Sequence, residues 1–215
     1  MKEQDSRICF VGDSYVNGTS DPEYLGWTGR VSIAVWRKGY NLTSYNLGVR
    51  RETSSDIAKC WQQEVCVRFP HSCTPFVVFS FGANDTTVED GHTRVSEAQS
   101  VDNARMILRA AKQRYSTIMI GPPPMADTEQ NLRTQRLSSL FAEVAENEGV
   151  PFLSVFDQLA ADNVWMNEVT AGDGAHPSAA GYAKLAALVE AWSKLVVSLV
   201  HSAEPGFVAE KRSRT

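Results

Sequence analysis

Two short segments of this chain bring together the residue types of nucleophilic catalysis. Gly12-Asp13-Ser14 places a hydroxyl near the N-terminus, and Asp173-Gly174-Ala175-His176-Pro177 places a carboxylate shortly before an imidazole. A serine hydroxyl needs a neutral imidazole to take its proton, and the imidazole needs an acceptor on its other ring nitrogen. We therefore predict that Ser14 is a nucleophile, that His176 is its general base and that Asp173 orients that base.

Two further segments offer hydrogen-bond donors. Attack on an ester carbonyl builds negative charge on the carbonyl oxygen, and preorganised donors must stabilise it. Asn46-Leu47-Gly48 and Gly82-Ala83-Asn84-Asp85 each follow an apolar, β-rich run. The predicted donors are the backbone N–H groups of Ser14 and Gly48 and the side-chain amide of Asn84. Taken alone, Gly48 also fits an ordinary turn glycine, and Asp85 fits a turn or helix cap.

The fold must bring these segments together, and the pattern of the chain predicts how. Short β-rich runs alternate with longer stretches of helical composition, which is typical of a parallel sheet covered on both faces. In such sheets reactive groups collect in the loops beyond the carboxyl ends of the strands. We predict a doubly wound α/β/α sandwich with strands at Arg7–Val11, Leu42–Leu47, Phe76–Ser80, Thr117–Ile120 and Pro151–Val155.

The last predicted helix is the clearest element, and it locates His176. Apolar residues recur at the three-and-four spacing of one buried face, at Leu185, Leu188, Val189, Trp192, Leu195, Val196 and Leu199. Pro177 and Ser178 form a helix start signal, so His176 is predicted in the loop just before this helix. We expect one domain over residues 1–204 and a flexible tail over residues 205–215.

Composition favours a small-molecule partner. The 215 residues are 43% hydrophobic, which is enough to bury one core. A formal charge of −4 and the absence of a long basic block argue against a nucleic-acid footprint or a polybasic membrane anchor. The polar N-terminus leads into an apolar run too short for a signal peptide or membrane span, and the four cysteines lack disulfide or zinc spacing. We expect a cytoplasmic protein that needs no cofactor and no metal.

Four motifs, in order along the chain, resemble those of the GDSL/SGNH hydrolase superfamily. They are Ser14 within Gly12-Asp13-Ser14-Tyr15, Gly48, Asn84 within Gly82-Ala83-Asn84-Asp85, and His176 within Asp173-Gly174-Ala175-His176-Pro177. Gly26-Trp27 with Arg30 is also similar to the segment that follows the nucleophile in this family. Each motif alone is weak, but the ordered set extends from about residue 7 to about residue 200 and is specific.

The resemblance implies a flavodoxin-like, five-stranded parallel sheet of order 2-1-3-4-5. It also implies metal-free hydrolysis of an ester or thioester through an acyl-enzyme intermediate on Ser14. The chain departs from the family pattern at two places. Tyr15 stands where the family name has Leu, and Arg50-Arg51 stand where many members have small residues or glycine.

Other interpretations remain open from the sequence. Asp90-Gly91-His92 is a second acid–histidine pair, which would orient an imidazole equally well on spacing alone. Asp13 or Asp85 would matter in a flavodoxin-like phosphoacceptor or ligand-binding module, in which Ser14 would have no role. Such a module would depend on magnesium, whereas the esterase would not.

The substrate is the least determined part of the prediction. Arg50 and Arg51 are candidate pocket residues for a negatively charged ester, since guanidinium groups suit carboxylate or phosphate. They fit solvated surface residues equally well. Trp27 is a further candidate for the substrate pocket, although buried or rim positions are commoner for aromatic residues. The expected ligand is a small-molecule ester, and the oligomeric state is not readable.

Overall fold

The computed structural model describes residues 5–192 and shows a parallel sheet between two layers of helices. The strands are β1 (Ser6–Gly12), β2 (Leu42–Gly48), β3 (Thr74–Ser80), β4 (Val88–Glu89), β5 (His92–Thr93), β6 (Ser116–Ile120) and β7 (Phe152–Leu153). Five of them form the sheet in the order β2-β1-β3-β6-β7, and β4 and β5 form a separate antiparallel hairpin. Counted within the sheet alone, this is the predicted order 2-1-3-4-5, which is therefore confirmed.

Helices connect the strands and cover both faces of the sheet. They are α1 (Ser14–Asn17), α2 (Gly26–Arg37), α3 (Ser54–Cys66), α4 (Glu97–Lys112), α5 (Thr128–Glu148), α6 (Phe156–Ala160), α7 (Asn163–Ala171) and α8 (Ala179–Ala191). A short 3-10 turn covers Asn84–Thr86. Among the helices of residues 5–192, none combines the length and the apolar character that crossing a bilayer requires.

The core has two halves because successive side chains of a strand point to opposite faces. On β1, Ile8 and Phe10 pack with residues of α2 and α8, whereas Cys9 and Val11 pack with residues of α3, α4 and α5. All four β1 side chains are buried. The inner strand β1 is thus apolar on both faces, which explains its continuous hydrophobic run.

Local capping signals set the ends of several helices. Thr53 and Asp56 form a reciprocal capping box at the start of α3, and Asp127 caps α5 by accepting from the Gln130 N–H. The helix α5 ends at Glu148 and is capped by Gly149, whose φ of +66° suits glycine.

The register of β1 with β2 and β3 brings the loops that follow these strands to the same end of the sheet. Gly12 at the end of β1 lies beside Gly48 at the end of β2 and beside Ser80 at the end of β3. The segments that follow these three residues therefore leave the sheet at the same level. This is the geometric reason that motifs distant in sequence converge.

The first four predicted strands agree with the structure to within two residues at each end, and the last predicted strand is longer than the observed one. The strand expected at Pro151–Val155 is limited to Phe152–Leu153, because the chain turns at once into α6 and Val155 is the residue that precedes that helix. The final helix ends at Ala191 among the described residues. The predicted helical positions Leu195, Val196 and Leu199 and the predicted tail at 205–215 lie outside them.

Candidate active site

Ser14 lies at the point where β1 turns into α1. The carboxylate of Asp13 precedes the helix and accepts a hydrogen bond from the Tyr15 N–H at 3.0 Å. Ser14 is the first helical residue, where a backbone N–H has no partner within the helix. Gly12 is required for this turn, because a Cβ there would lie 1.9 Å from the Ser80 carbonyl oxygen. The turn therefore presents both the hydroxyl and the N–H of Ser14.

Three predicted catalytic side chains form one hydrogen-bonded chain. The Ser14 Oγ lies 2.7 Å from Nε2 of His176, and Nδ1 of His176 lies 2.7 Å from Oδ2 of Asp173. The His176 side chain is 10% exposed, whereas that of Asp173 is 46% exposed. The structure thus places the predicted base within proton-transfer distance of the predicted nucleophile.

Asp173 is held in its ionised form. Burial alone would raise the pKa of this carboxyl group, but the N–H groups of His176 and Ala175 and the His176 ring outweigh burial and lower the pKa to about 2. The two N–H groups donate to the other carboxylate oxygen at 2.8 and 3.0 Å. A carboxylate anion fixed in this way can orient the imidazole and stabilise its protonated form.

The loop that carries His176 is fixed from several sides. The Ala126 N–H donates to the Gly174 carbonyl at 2.8 Å, and the Tyr15 hydroxyl donates to the Ala175 carbonyl at 2.7 Å. On the far side, Oε2 of Glu168 accepts from the N–H groups of Ser178 and Gly181 at 2.9 and 2.6 Å. Sequence reasoning missed these anchors, because nothing local in the sequence pairs them with the loop.

Asn84 joins the loop after β3 to the loop after β2. Its Nδ2 donates to the Glu52 carbonyl oxygen at 2.9 Å, and the neighbouring Asp85 accepts from the Ser54 N–H at 2.7 Å. Asp85 is buried, and burial raises the pKa of its carboxyl group. Asp85 therefore supports the start of α3, which is distant in sequence, and does not cap its own short turn.

The backbone of Gly48 is held by a hydrogen bond and by close packing. Its N–H donates to Oδ1 of Asn46 at 2.9 Å, so this group already has an acceptor. A Cβ at Gly48 would lie 2.2 Å from the Asn17 backbone nitrogen, because α1 passes directly over the end of β2. Close packing thus accounts for glycine at this position, and donation to a substrate requires release of the N–H from Asn46.

The candidate pocket residues differ in their surroundings. The Arg51 side chain is 72% exposed and forms an ion pair with Glu89 of the β4–β5 hairpin at 2.7 Å. Arg50 is exposed. Trp27 is completely buried and packs edge-on against Phe10 at 5.3 Å between ring centroids. Trp27 therefore belongs to the core between α2 and β1 and has no surface to offer a substrate, which corrects its interpretation as a pocket residue.

The second acid–histidine pair has a different place. His92 lies on β5 opposite Glu89 and is exposed, while Asp90 and Gly91 form the hairpin turn with positive φ angles. The histidine that contacts Ser14 is His176. Asp13 is buried beneath the site, and burial is the main cause that raises the pKa of its carboxyl group to about 7.

The parallel sheet between helices and the hydrogen-bonded serine, histidine and aspartate define an α/β protein with a hydrolase-like, serine-centred site. A family model described as the GDSL-like Lipase/Acylhydrolase family matches residues 10–184. The chain belongs to the GDSL-like lipase/acylhydrolase family and is an ester-bond hydrolase, as the sequence motifs indicate. A comparison with curated proteins gave no match.

Solved structures of esterases share the fold. A lipase/acylhydrolase from Enterococcus faecalis is 24% identical, with a TM-score of 0.72 over 86% of this chain and 93% of that chain. An acetylxylan esterase from Geobacillus stearothermophilus is 18% identical, with a TM-score of 0.70 over 88% of this chain and 94% of the other. An alpha/beta hydrolase enzyme from the metagenome of Lake Arreo, Spain, is 19% identical, with a TM-score of 0.69 over 86% and 93%. These similarities support the SGNH hydrolase fold.

Proposed function

We propose that this chain is a serine esterase that cleaves small carboxylic esters, thioesters or acetylated substrates through an acyl intermediate on Ser14. The observation that carries the proposal is the continuous chain from Ser14 Oγ through His176 to Asp173, with 2.7 Å at each step. Solved catalytic mutants of the acetylxylan esterase replace one serine, one aspartate and one histidine, which are the same three residue types.

The reaction follows from the positions of the three groups. His176 Nε2 takes the proton of the Ser14 hydroxyl as the oxygen attacks the ester carbonyl carbon. His176 then passes this proton to the departing alcohol or thiol, which leaves an acyl group on Ser14. Water enters and its oxygen attacks the acyl carbon while His176 takes its proton. His176 then returns this proton to Ser14 Oγ as the bond between Oγ and the acyl carbon breaks, which releases the acid and restores the starting state. Asp173 keeps the imidazole in the tautomer that has a free Nε2 lone pair.

The oxyanion of each tetrahedral intermediate needs donors near Ser14. The Ser14 N–H has no acceptor among residues 5–192, and Asn84 has a second amide hydrogen besides the one given to Glu52. We assign these two as donors and keep Gly48 as the predicted third.

Acetyl esters are the first substrates to test, because the acetylxylan esterase shares the fold over most of both chains. A preference for anionic esters would depend chiefly on Arg50, since the charge of Arg51 is already balanced by Glu89. Replacing Arg50 and Arg51 together should abolish any such preference. An unchanged ratio of rates on anionic and neutral esters would refute this part of the proposal.

The first test is hydrolysis of p-nitrophenyl acetate, butyrate and octanoate by wild type and Ser14→Ala, each with and without a chelator. We expect chelator-resistant turnover that falls about a million-fold without the Ser14 hydroxyl. A fluorophosphonate should label the wild type and not the variant. Full activity in Ser14→Ala would remove the nucleophile assignment. Absence of both turnover and labelling, with magnesium-dependent phosphate transfer, would favour the phosphoacceptor alternative.

A further inference from the structure

Tyr15 follows the nucleophile directly and is fixed at both ends. Its side chain is 3% exposed, and its N–H donates to Asp13 Oδ1 at 3.0 Å. Its ring stacks on Trp165 at 6.3 Å between centroids, and the Trp165 indole N–H donates to the Pro124 carbonyl at 3.0 Å. Tyr15 is therefore a rigid side chain attached to the turn that presents Ser14.

The same side chain reaches the loop of the catalytic base. The Tyr15 hydroxyl donates to the carbonyl of Ala175, the residue just before His176, at 2.7 Å. The Tyr15 and His176 rings are also in contact, with centroids 5.1 Å apart and planes tilted by 44°. Burial raises the pKa of Tyr15 well above its usual value, so the hydroxyl remains a donor.

The other anchors that reach this loop from outside it contact residues on either side of Ala175 and His176. Ala126 holds Gly174, and Glu168 holds Ser178 and Gly181 beyond His176. Tyr15 acts between them, next to the base itself. It therefore connects the two parts whose spacing sets the distance from Ser14 Oγ to His176 Nε2. Leucine, which stands here in the family name, has no hydroxyl to make this connection.

We propose that Tyr15 is a positioning residue that sets the spacing between the Ser14 turn and the His176 loop through its hydrogen bond to Ala175. This inference rests on the proposed serine esterase function. A misplacement of about 1 Å between catalytic groups costs on the order of a hundredfold in rate. Loss of one neutral hydrogen bond leaves the other anchors in place, so a smaller effect is expected.

The test is Tyr15→Phe, with Tyr182→Phe as the matched control. Tyr182 is also a buried tyrosine beside Trp165, and its hydroxyl donates to the Thr19 carbonyl at 2.8 Å, away from the His176 loop. Both variants lose one tyrosine–carbonyl hydrogen bond and should lose similar stability. We expect kcat for p-nitrophenyl acetate to fall about five- to tenfold in Tyr15→Phe, consistent with one neutral hydrogen bond, with KM changed less than about twofold. Tyr182→Phe should keep the wild-type kcat.

A second readout does not depend on turnover. The proton NMR resonance of His176 Nδ1–H reports the hydrogen bond to Asp173, which weakens when the imidazole ring is displaced. Because Tyr15 holds the residue before His176, the resonance should shift upfield in Tyr15→Phe and stay in place in Tyr182→Phe. An unchanged kcat and an unchanged resonance in Tyr15→Phe would overturn the proposal, as would equal kcat losses in both variants. If the wild type hydrolyses no ester but the resonance moves in Tyr15→Phe alone, the positioning role stands and the esterase proposal fails.

Discussion

At the scale of single residues, the site is defined by which polar atoms are already engaged and which are free. Both carboxylate oxygens of Asp173 accept hydrogen bonds from its own loop, which suits its proposed role of fixing the His176 ring. Gly48 donates to Asn46, whereas the Ser14 N–H has no acceptor among residues 5–192. Asn84 has one amide hydrogen left for a substrate after its bond to Glu52. The side-chain amide of Asn84 is therefore the proposed oxyanion donor that substitution can test directly.

We expect Asn84→Ala to lower kcat about a hundred- to a thousandfold, because removal of one oxyanion donor has that effect in serine hydrolases. The matched control is Asn103→Ala, which removes another asparagine that braces α3 through Ser54 and Ser55. The control should lose stability and keep its kcat on p-nitrophenyl acetate. Equal kcat losses in the two variants would show that Asn84 acts by bracing the loop at Glu52 rather than as an oxyanion donor.

At the scale of elements, the starts of two helices place the proposed catalytic groups. Ser14 opens α1, and His176 lies just before α8. The start of α8 lacks a cap from its own Ser178 side chain, and Glu168 of α7 supplies the acceptor instead. An anion at a helix N-terminus satisfies free N–H groups and suits the helix dipole. The position of His176 thus depends on a neighbouring helix.

Glu168→Ala should destabilise the protein by about 1 kcal/mol, the usual effect of losing a helix cap. It should also lower kcat, because the segment that follows His176 is no longer held by the bonds from the Ser178 and Gly181 N–H groups to Glu168. Urea unfolding and p-nitrophenyl acetate turnover measure the two effects. Glu143→Ala on the exposed face of α5 is the control and should change neither. Wild-type stability in Glu168→Ala would contradict the capping role.

At the scale of the whole molecule, one carboxylate joins two helices of the layer opposite α8. Glu148 at the end of α5 forms ion pairs with Arg109 and Lys112 of α4, at 2.6 and 3.1 Å. Hydrogen bonds from Arg109 first, and then from Lys112, lower the pKa of Glu148 to about 2. Because the folded-state pKa lies below the unfolded value, this group stabilises the fold above pH 4.5 and loses that effect as pH falls toward 2.

Glu148→Gln should therefore lower the free energy of unfolding at pH 7 and have a much smaller effect near pH 2. Urea unfolding of wild type and variant across this range checks the prediction. Glu143→Gln serves as a control, since this carboxylate is exposed on the same helix. An equal destabilisation at both pH values would mean that Glu148 contributes by packing and not by its charge.

The sequence by itself predicted the class of chemistry and the alternation of strands and helices, whereas the order of the strands followed from the resemblance to the GDSL/SGNH superfamily. Gly12-Asp13-Ser14 and Asp173 to Pro177 are local motifs, and the alternation of β-rich and helical segments is a local pattern, so both are readable without contacts. The tertiary structure alone decided that Tyr15 holds Ala175, that Asn46 engages Gly48 and that Trp27 is buried. The physical reason is that these outcomes depend on which distant backbone groups come within hydrogen-bond distance and which side chains the layers cover.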